Sequence, residues 1–354
     1  MTQIVPQAVP ADSVLLDRYG RRVTYLRLSI TDRCDFRCTY CMAEKMVFLP
    51  RSAVMNFDEC VRVARIFVGL GVIKLRVTGG EPLVRQGALA LLARLGRLPG
   101  LRSLVLTTNG AQLERFAQPL LEAGVARINI SLDSLRAERF KDITRVGALA
   151  KVLRGIEAVR TLGFKGIKLN TVLLRGRNDD ELIELVQFAV ARAIDISFIE
   201  EMPLGEVASR QPSSGAGFLR GDEVLARLRA HFDLLPWPGD LAESLPALAD
   251  PAGGPARYWQ VRGSATRIGL ITPHSQHFCA SCNRVRVTAQ GVLYPCLGSE
   301  ESVALLPLLR AHPDDDAPVR AAIVQGMGLK VQGHDFDAQR NAPKIMRFMS
   351  LTGG

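Results

Sequence analysis

One alternation narrows the fold more than any other feature. Six short segments, Tyr25–Thr31, Ile73–Gly79, Ser103–Asn109, Ala126–Leu132, Gly166–Leu174 and Asp195–Met202, are apolar or alternating and are separated by amphipathic stretches of helical length. Each ends near Thr, Asn, Gly or Ser, residues that commonly bound strands. Asn56 to Leu70 is the clearest helix. Asn56 and Glu59 have the spacing of a reciprocal N-terminal cap, Val61, Ala64, Ile66, Phe67 and Leu70 form an apolar face, and Gly71 closes it. Further helices are expected at Gln112–Ala123, Ala148–Leu162 and Asp179–Ala193. Repeated strand–helix units imply a parallel sheet, because parallel neighbours need a crossover between them. Six units are too few for a complete eight-fold barrel, which leaves an incomplete barrel or an open doubly wound sheet. In either, ligands gather at the carboxyl ends of the strands. Thr31–Cys41, Thr78–Glu81, Thr107–Gly110 and Ser131–Asp133 sit there.

The pattern changes after about residue 235. Trp237 to Pro255 is rich in Pro, Gly, Ala and acidic residues and reads as a linker or long loop. Short β-like runs follow at Tyr258–Arg262, Arg267–Ile271 and Arg284–Thr288. The expected organisation is a flexible N-terminal tail (1–16), a βα region (17–235), a linker (236–256), a second, cysteine-bearing region (257–340) and a tail ending in Gly353-Gly354 (341–354). Met1 to Val14 lacks a basic stretch followed by an apolar one, so no secretory signal is expected. No apolar run is long enough to span a bilayer. The net charge is +10, but the basic residues are scattered. A small anionic ligand is therefore favoured over nucleic acid.

Six of the seven cysteines fall into two triads, Cys34-x3-Cys38-x2-Cys41 and Cys279-x2-Cys282-x13-Cys296, while Cys60 stands alone on a helix face as a small buried hydrophobe. Short, clustered spacings in a chain without a secretory signal argue for metal over disulfides. Three thiolates on a tight loop can hold three irons of a [4Fe–4S] cluster and leave the fourth open to an exogenous ligand. The alternative is structural zinc with a distant fourth ligand. For the second triad, His274 and His277 lie just upstream, so a Cys3His zinc site competes with an auxiliary cluster. Gly79-Gly80-Glu81-Pro82 follows the second strand, where a backbone without side chains can approach a ligand. By themselves Ser131 reads as a helix cap and Met202 as core filler.

Cys34-x3-Cys38-x2-Cys41, with Tyr40 just before the last cysteine, resembles the radical S-adenosylmethionine (SAM) signature. Together with Asp17-Arg-Tyr-Gly-Arg, Leu26-Arg-Leu-Ser-Ile-Thr-Asp-Arg, Gly79-Gly80-Glu81-Pro82, Ser-Leu-Asp-Ser at 131–134 and Cys282-Asn-Arg-Val-Arg, it resembles the GTP 3′,8-cyclase family of molybdenum cofactor biosynthesis. The resemblance runs from about Asp17 to the terminal Gly-Gly. It implies an incomplete (β/α)6 TIM-type barrel whose C-terminal extension covers the open side, two [4Fe–4S] clusters, and SAM as cosubstrate. Cys34, Cys38 and Cys41 would carry the SAM-cleaving cluster and Cys279, Cys282 and Cys296 the second one, which anchors the guanine. Tyr40, Gly80, Ser131 and Met202 would contact SAM. Arg27, Arg76, Thr107, Lys168, Arg284 and Arg286 would bind GTP, and the Gly-Gly end would insert near the active site. The deoxyadenosyl radical would take hydrogen from ribose C3′ before closure on guanine C8. An electron donor and a downstream cyclic pyranopterin monophosphate synthase are the implied partners, with a homodimer compatible and a cytoplasmic setting expected. Two rivals differ in kind. A peptide-modifying radical SAM enzyme would lack the basic residues beside the second triad. A zinc- or nucleic-acid-binding module would leave Gly79–Pro82 and the six βα units unexplained.

Overall fold

The computed structural model describes residues 14–202, 204, 218–237, 254–276, 278–334, 345 and 347–352. His277, Gly353, Gly354 and most of the expected loop at 237–255 lie outside them. The six expected strands form as β1 (Tyr25–Ser29), β2 (Lys74–Thr78), β3 (Ser103–Thr108), β4 (Arg127–Ser131), β5 (Ile167–Leu173) and β6 (Asp195–Glu200). Their crossovers are α1 (Phe57–Gly69), α2 (Ala88–Gly96), α3 (Leu113–Glu122), the pair α4 (Ala137–Thr144) and α5 (Leu149–Thr161), and α6 (Leu182–Val190). No helix among the described residues is long and apolar enough to cross a membrane.

Six further strands follow: β7 (Leu234–Pro236), β8 (Arg257–Val261), β9 (Arg267–Ile271), β10 (Arg284–Val287), β11 (Val292–Tyr294) and β12 (Val303–Ala304). All hydrogen-bond in the order β12-β11-β10-β1-β2-β3-β4-β5-β6-β9-β8-β7. The second region therefore does more than cover the open side. β10 pairs in parallel with β1, and β9 pairs in parallel with β6, so each edge of the six-stranded sheet gains a parallel strand. Unpaired edge amides and carbonyls invite such additions. β9 and β10 are consecutive in sequence yet sit at opposite edges. Residues 272–283 must cross between those edges, and also pass from the carboxyl-end rim back to the amino-end rim.

The eight parallel strands share one phase. Leu26, Leu28, Leu75, Val77, Leu104, Leu106, Ile128 and Ile130 lie on one face and join the hydrophobic core. The opposite face carries Tyr25, Arg27, Lys74, Arg76, Thr107, Asn129, Lys168 and Asn170. A closed eight-fold barrel fills its interior with branched apolar side chains, whereas this interior is polar and open.

Helix α1 begins as the spacing predicts. Asn56 Oδ1 accepts from the Glu59 amide at 2.8 Å, and Glu59 Oε2 accepts from the Asn56 amide at 2.7 Å. Replacing Asn56 by Ala leaves a helix-end amide unsatisfied. Urea denaturation of the Asn56→Ala chain is expected to show a loss of about 1 kcal/mol.

Candidate active site

The first cysteine loop follows β1 and is held from three sides. Gly79 and Gly80 pack against its backbone: the Gly80 amide donates to Thr31 O at 2.8 Å and the Glu81 amide to Arg33 O at 2.8 Å. A Cβ on Gly79 would sit 2.5 Å from Thr31 O, and one on Gly80 would collide with the Arg33 carbonyl. The glycines are thus needed for close approach of protein to protein, as well as lining a ligand space. On a second side, the Arg37 and Thr39 amides donate to Thr144 O and Ile143 O at 3.0 and 2.9 Å. On the third, Tyr40 Oη donates to Asp133 Oδ2 at 2.7 Å, while Asp133 Oδ1 accepts from the Val172 amide at 2.9 Å.

Behind the loop, Glu81 is fully buried. It accepts from the Leu83 amide (3.0 Å), Thr108 Oγ1 (2.9 Å) and the Asn109 amide (2.6 Å). Asn109 Nδ2 in turn donates to Asp35 Oδ1 at 2.6 Å. Burial pushes the Glu81 carboxyl up to about 7, against the pull of the Asn109 and Leu83 amides. Burial also pushes the Cys34 and Cys41 thiols up to about 12 and raises Cys38 well above its ordinary value.

Below the loop, the inward side chains form rungs. Strand register places Tyr25 beside Lys74 and Arg284, and one step along Arg27 beside Arg76 and Arg286. Lys74 Nζ and the Arg76 guanidinium lie 4.9 and 5.5 Å from the Tyr25 ring centre. Burial would raise the Tyr25 phenol, but the charges of Arg76, Arg27, Lys74 and Arg284 outweigh it and lower it. Burial, then Arg286 and Arg76, depress Arg27; burial, then Arg76 and Arg127, depress Lys168. Arg286 is brought down to about 9 by burial and Arg284. Guanidinium groups keep their protons in proteins, so these shifts express first the cost of burying the cations and then their mutual repulsion. Lys168 Nζ donates to Tyr258 Oη at 3.2 Å on the facing wall. With its amide turned to accept, Asn129 takes both Arg76 terminal nitrogens at 2.7 and 2.9 Å. Thr107 Oγ1 and Asn170 Oδ1 are buried with no hydrogen-bond partner among the described residues.

The second triad lies at the other end. Cys279 and Cys282 sit on the turn that enters β10, and Cys296 follows β11. The Tyr25 amide donates to Asn283 O at 3.2 Å, which fixes this turn at the amino-end rim of β1. That differs from the carboxyl-end location expected of ligand-binding residues, and it follows from the crossing of residues 272–283. Burial would raise Cys282, yet the Arg284 and Lys330 charges bring it down to about 6. Burial raises Cys279. All seven cysteines are free. Among the described residues no three His, Cys, Asp or Glu side chains close on a position for one metal ion. His274 Nε2 instead meets Glu201 O at 2.9 Å.

One cavity joins these parts. Its lining includes all six triad cysteines, Tyr40, Gly80, Ser131 and Met202 near the first triad, and Arg27, Arg76, Thr107, Lys168, Arg284 and Arg286 between the triads. It holds about 2120 Å³ of empty space, its open mouth included. Thr352 is buried beside it, with its carbonyl 3.5 Å from Arg286 Nη1. Tyr25, Lys74, Asn170 and Tyr258 also line it, and sequence reasoning missed them. Lys74 and Tyr25 had a signal: each is two residues before an inward arginine on the same strand, hence on the same face.

A partial barrel carrying a cysteine triad after its first strand is the radical SAM arrangement, and residues 28–189 match the Radical SAM superfamily model. Residues 194–336 match Molybdenum Cofactor Synthesis C. The chain is 52% identical over 341 residues to the GTP 3′,8-cyclase of Pseudomonas putida, covering 96% of this chain and 98% of that one. It is 51% identical over 340 residues to that of Marinobacter nauticus, at 96% and 98% coverage. The solved structure of Streptococcus suis SuiB bound to S-adenosylmethionine shares the fold, with a TM-score of 0.59, 16% identity, and coverage of 94% of this chain and 79% of that one. The chain belongs to the GTP 3′,8-cyclase family.

Glu81 makes the site sensitive to pH. Its carboxyl keeps its proton to a higher pH in the folded chain than in the unfolded one. The stability it contributes is therefore full below its ordinary 4.5 and lost as pH rises through about 7. That rise corresponds to roughly 3 kcal/mol. The thermal midpoint of the metal-free chain is expected to fall between about pH 5 and about pH 8, and Glu81→Gln, which mimics the neutral acid, to flatten the fall.

Proposed function

We propose that this chain converts GTP to (8S)-3′,8-cyclo-7,8-dihydroguanosine 5′-triphosphate, the first step of molybdenum cofactor biosynthesis. The observation that carries the reading is one cavity with a thiol triad at each end and rungs of inward cations between. The donor sets suit iron–sulfur groups: three free, partly buried thiols apiece. Cys34, Cys38 and Cys41 would hold one [4Fe–4S] cluster and Cys279, Cys282 and Cys296 a second. The first would supply the electron that cleaves the SAM sulfonium.

The remaining chemistry is positioning. Tyr40, Gly80, Ser131 and Met202 border the space beside the first triad and would hold SAM there. Arg27, Arg76, Lys168, Arg284 and Arg286, with Lys74 added by the structure, would hold the triphosphate through charge-assisted bonds. Thr107 Oγ1 and Asn170 Oδ1 offer unused donor and acceptor capacity to the nucleoside. Loss of hydrogen from ribose C3′, bond formation to guanine C8, and uptake of one electron and one proton give a product isomeric with GTP. Residues 17–235 and 257–340 would form the SAM half and the substrate half of one enclosure. An external reductant supplies the electrons, and a cyclic pyranopterin monophosphate synthase takes the product. The cation rungs favour this reading over a peptide substrate.

Two tests follow. Anaerobically reconstituted, reduced protein with SAM and GTP is expected to form 5′-deoxyadenosine in step with GTP loss, and Cys34→Ala to abolish both by chromatography. Deoxyadenosine without GTP loss would sink the substrate. Arg27→Met removes a buried like charge, so the metal-free chain is expected to melt higher while GTP binding, read by calorimetry, weakens by about thirtyfold, or roughly 2 kcal/mol.

A further inference from the structure

The Asp17–Arg21 motif and Lys330 have no role in the reading above, yet both meet the second triad. Lys330 is 1% exposed. An ammonium has three donors, and here they go to Cys282 Sγ at 3.4 Å, Arg284 O at 2.9 Å and Pro295 O at 3.0 Å. None of these acceptors is a carboxylate. Arg284 is two residues beyond Cys282, and Pro295 directly precedes Cys296. One ammonium therefore ties the two backbone segments that bring Cys282 and Cys296 together. Arg21 does the same for the third cysteine. Its Nη1 donates to Cys279 O at 2.7 Å and its Nη2 to Val331 O at 2.7 Å, while Nε meets Asp17 Oδ2 at 2.5 Å. Asp17 is itself anchored by the Tyr19 and Arg21 amides at 2.8 and 3.0 Å.

A buried ammonium without a carboxylate is expensive unless another anion stands beside it. Neutral donors could bridge two carbonyls. A full charge against a cysteine sulfur fits a site whose thiols are held as thiolates. Hydrogen bonds and charges around cluster sulfurs are also what tune cluster potentials. We propose that Arg21 and Lys330 are positioning residues for the C-terminal cluster: Arg21 fixes the Cys279 arm, and Lys330 joins the Cys282 and Cys296 arms and favours the cluster's reduced, more negative state. This rests on the second-cluster reading above.

The test uses the full chain with Cys34, Cys38 and Cys41 all changed to Ala, so that only the C-terminal site can load. After anaerobic reconstitution, iron and sulfide are measured and the cluster is titrated by EPR. Lys330→Met is expected to shift the midpoint to more negative potential and lower iron loading at least twofold. Lys330→Arg, which keeps the charge, restores the midpoint. Arg21→Met is expected to lower loading while the loaded fraction titrates as the parent does. If Lys330→Met does not fold, Lys330→Gln, a donor without charge, gives the same midpoint comparison. Lysine variants that load and titrate like the parent overturn the proposal. A parent that binds no iron overturns the second-cluster reading itself, a separate and recognisable failure.

Discussion

Arg27, Lys74, Arg76, Lys168, Arg284 and Arg286 face one buried cavity, and their mutual repulsion is the constraint around which the rest of the molecule is arranged. Like charges in neighbouring positions of a sheet are destabilising, and burial deepens the effect by removing water. The fold withstands this because the other face of the same strands is apolar almost without interruption and packs into the helices. Tyr25 is placed between Lys74 and Arg76, offering its ring to both. Asn129 spreads the charge of Arg76 over a neutral acceptor. These arrangements temper the repulsion without cancelling it, so the interior is built to gain when a polyanion enters. In the proposed reading, stability of the empty protein and affinity for a triphosphate would be set against each other at the same residues.

The second organising fact is topological. A sheet of six parallel strands leaves two edges, and the C-terminal region supplies a parallel strand to each. Since β9 and β10 are adjacent in sequence but far apart in the sheet, the segment between them must cross the open side and change rims. Cys279 and Cys282 ride on that crossing. The first triad hangs on the rim where strands end and the second on the rim where they begin. The cations of β1, β2 and β10 lie between them by simple strand geometry. A chain that closed its barrel with two more βα units would bring no such segment across the interior.

Support around the two triads differs in kind. The first is fixed mainly by main-chain contacts: glycines that admit the Thr31–Arg33 backbone, a carboxylate that accepts from the Asn109 and Leu83 amides, and carbonyls near the end of α4. Outside the triad, the charges that act most on its thiols are those of Asp35, Glu81 and Asp133, while Arg37 donates to the Cys34 carbonyl at 2.5 Å. The second is surrounded by cations, Arg284 and Lys330 among them, and its Cys282 thiol is correspondingly easier to ionise. Cys282 is thus the one triad thiol shown to be lowered, while burial raises Cys34, Cys38, Cys41 and Cys279.

Much of this was legible beforehand. The alternation of strands and helices, the capping pair at Asn56 and Glu59, and the two cysteine triads are local patterns, and local patterns follow from propensity and spacing. The face shared by Arg284 and Arg286 is also local, since a strand repeats every two residues. Other features depend on partners distant in sequence. The contact of Lys330 with Cys282, and of Arg21 with Cys279, joins residues that no spacing rule relates. The alignment of Arg27 with both Arg76 and Arg286 is a matter of strand register, and the opposite-rim position of the second triad is a matter of strand order. By itself the sequence determined the elements, the alternation of their faces and the grouping of the thiols into two triads, because each is set by neighbours along the chain. Only the tertiary structure decided which strands meet, and hence that charges and thiols from segments far apart in sequence line a single cavity.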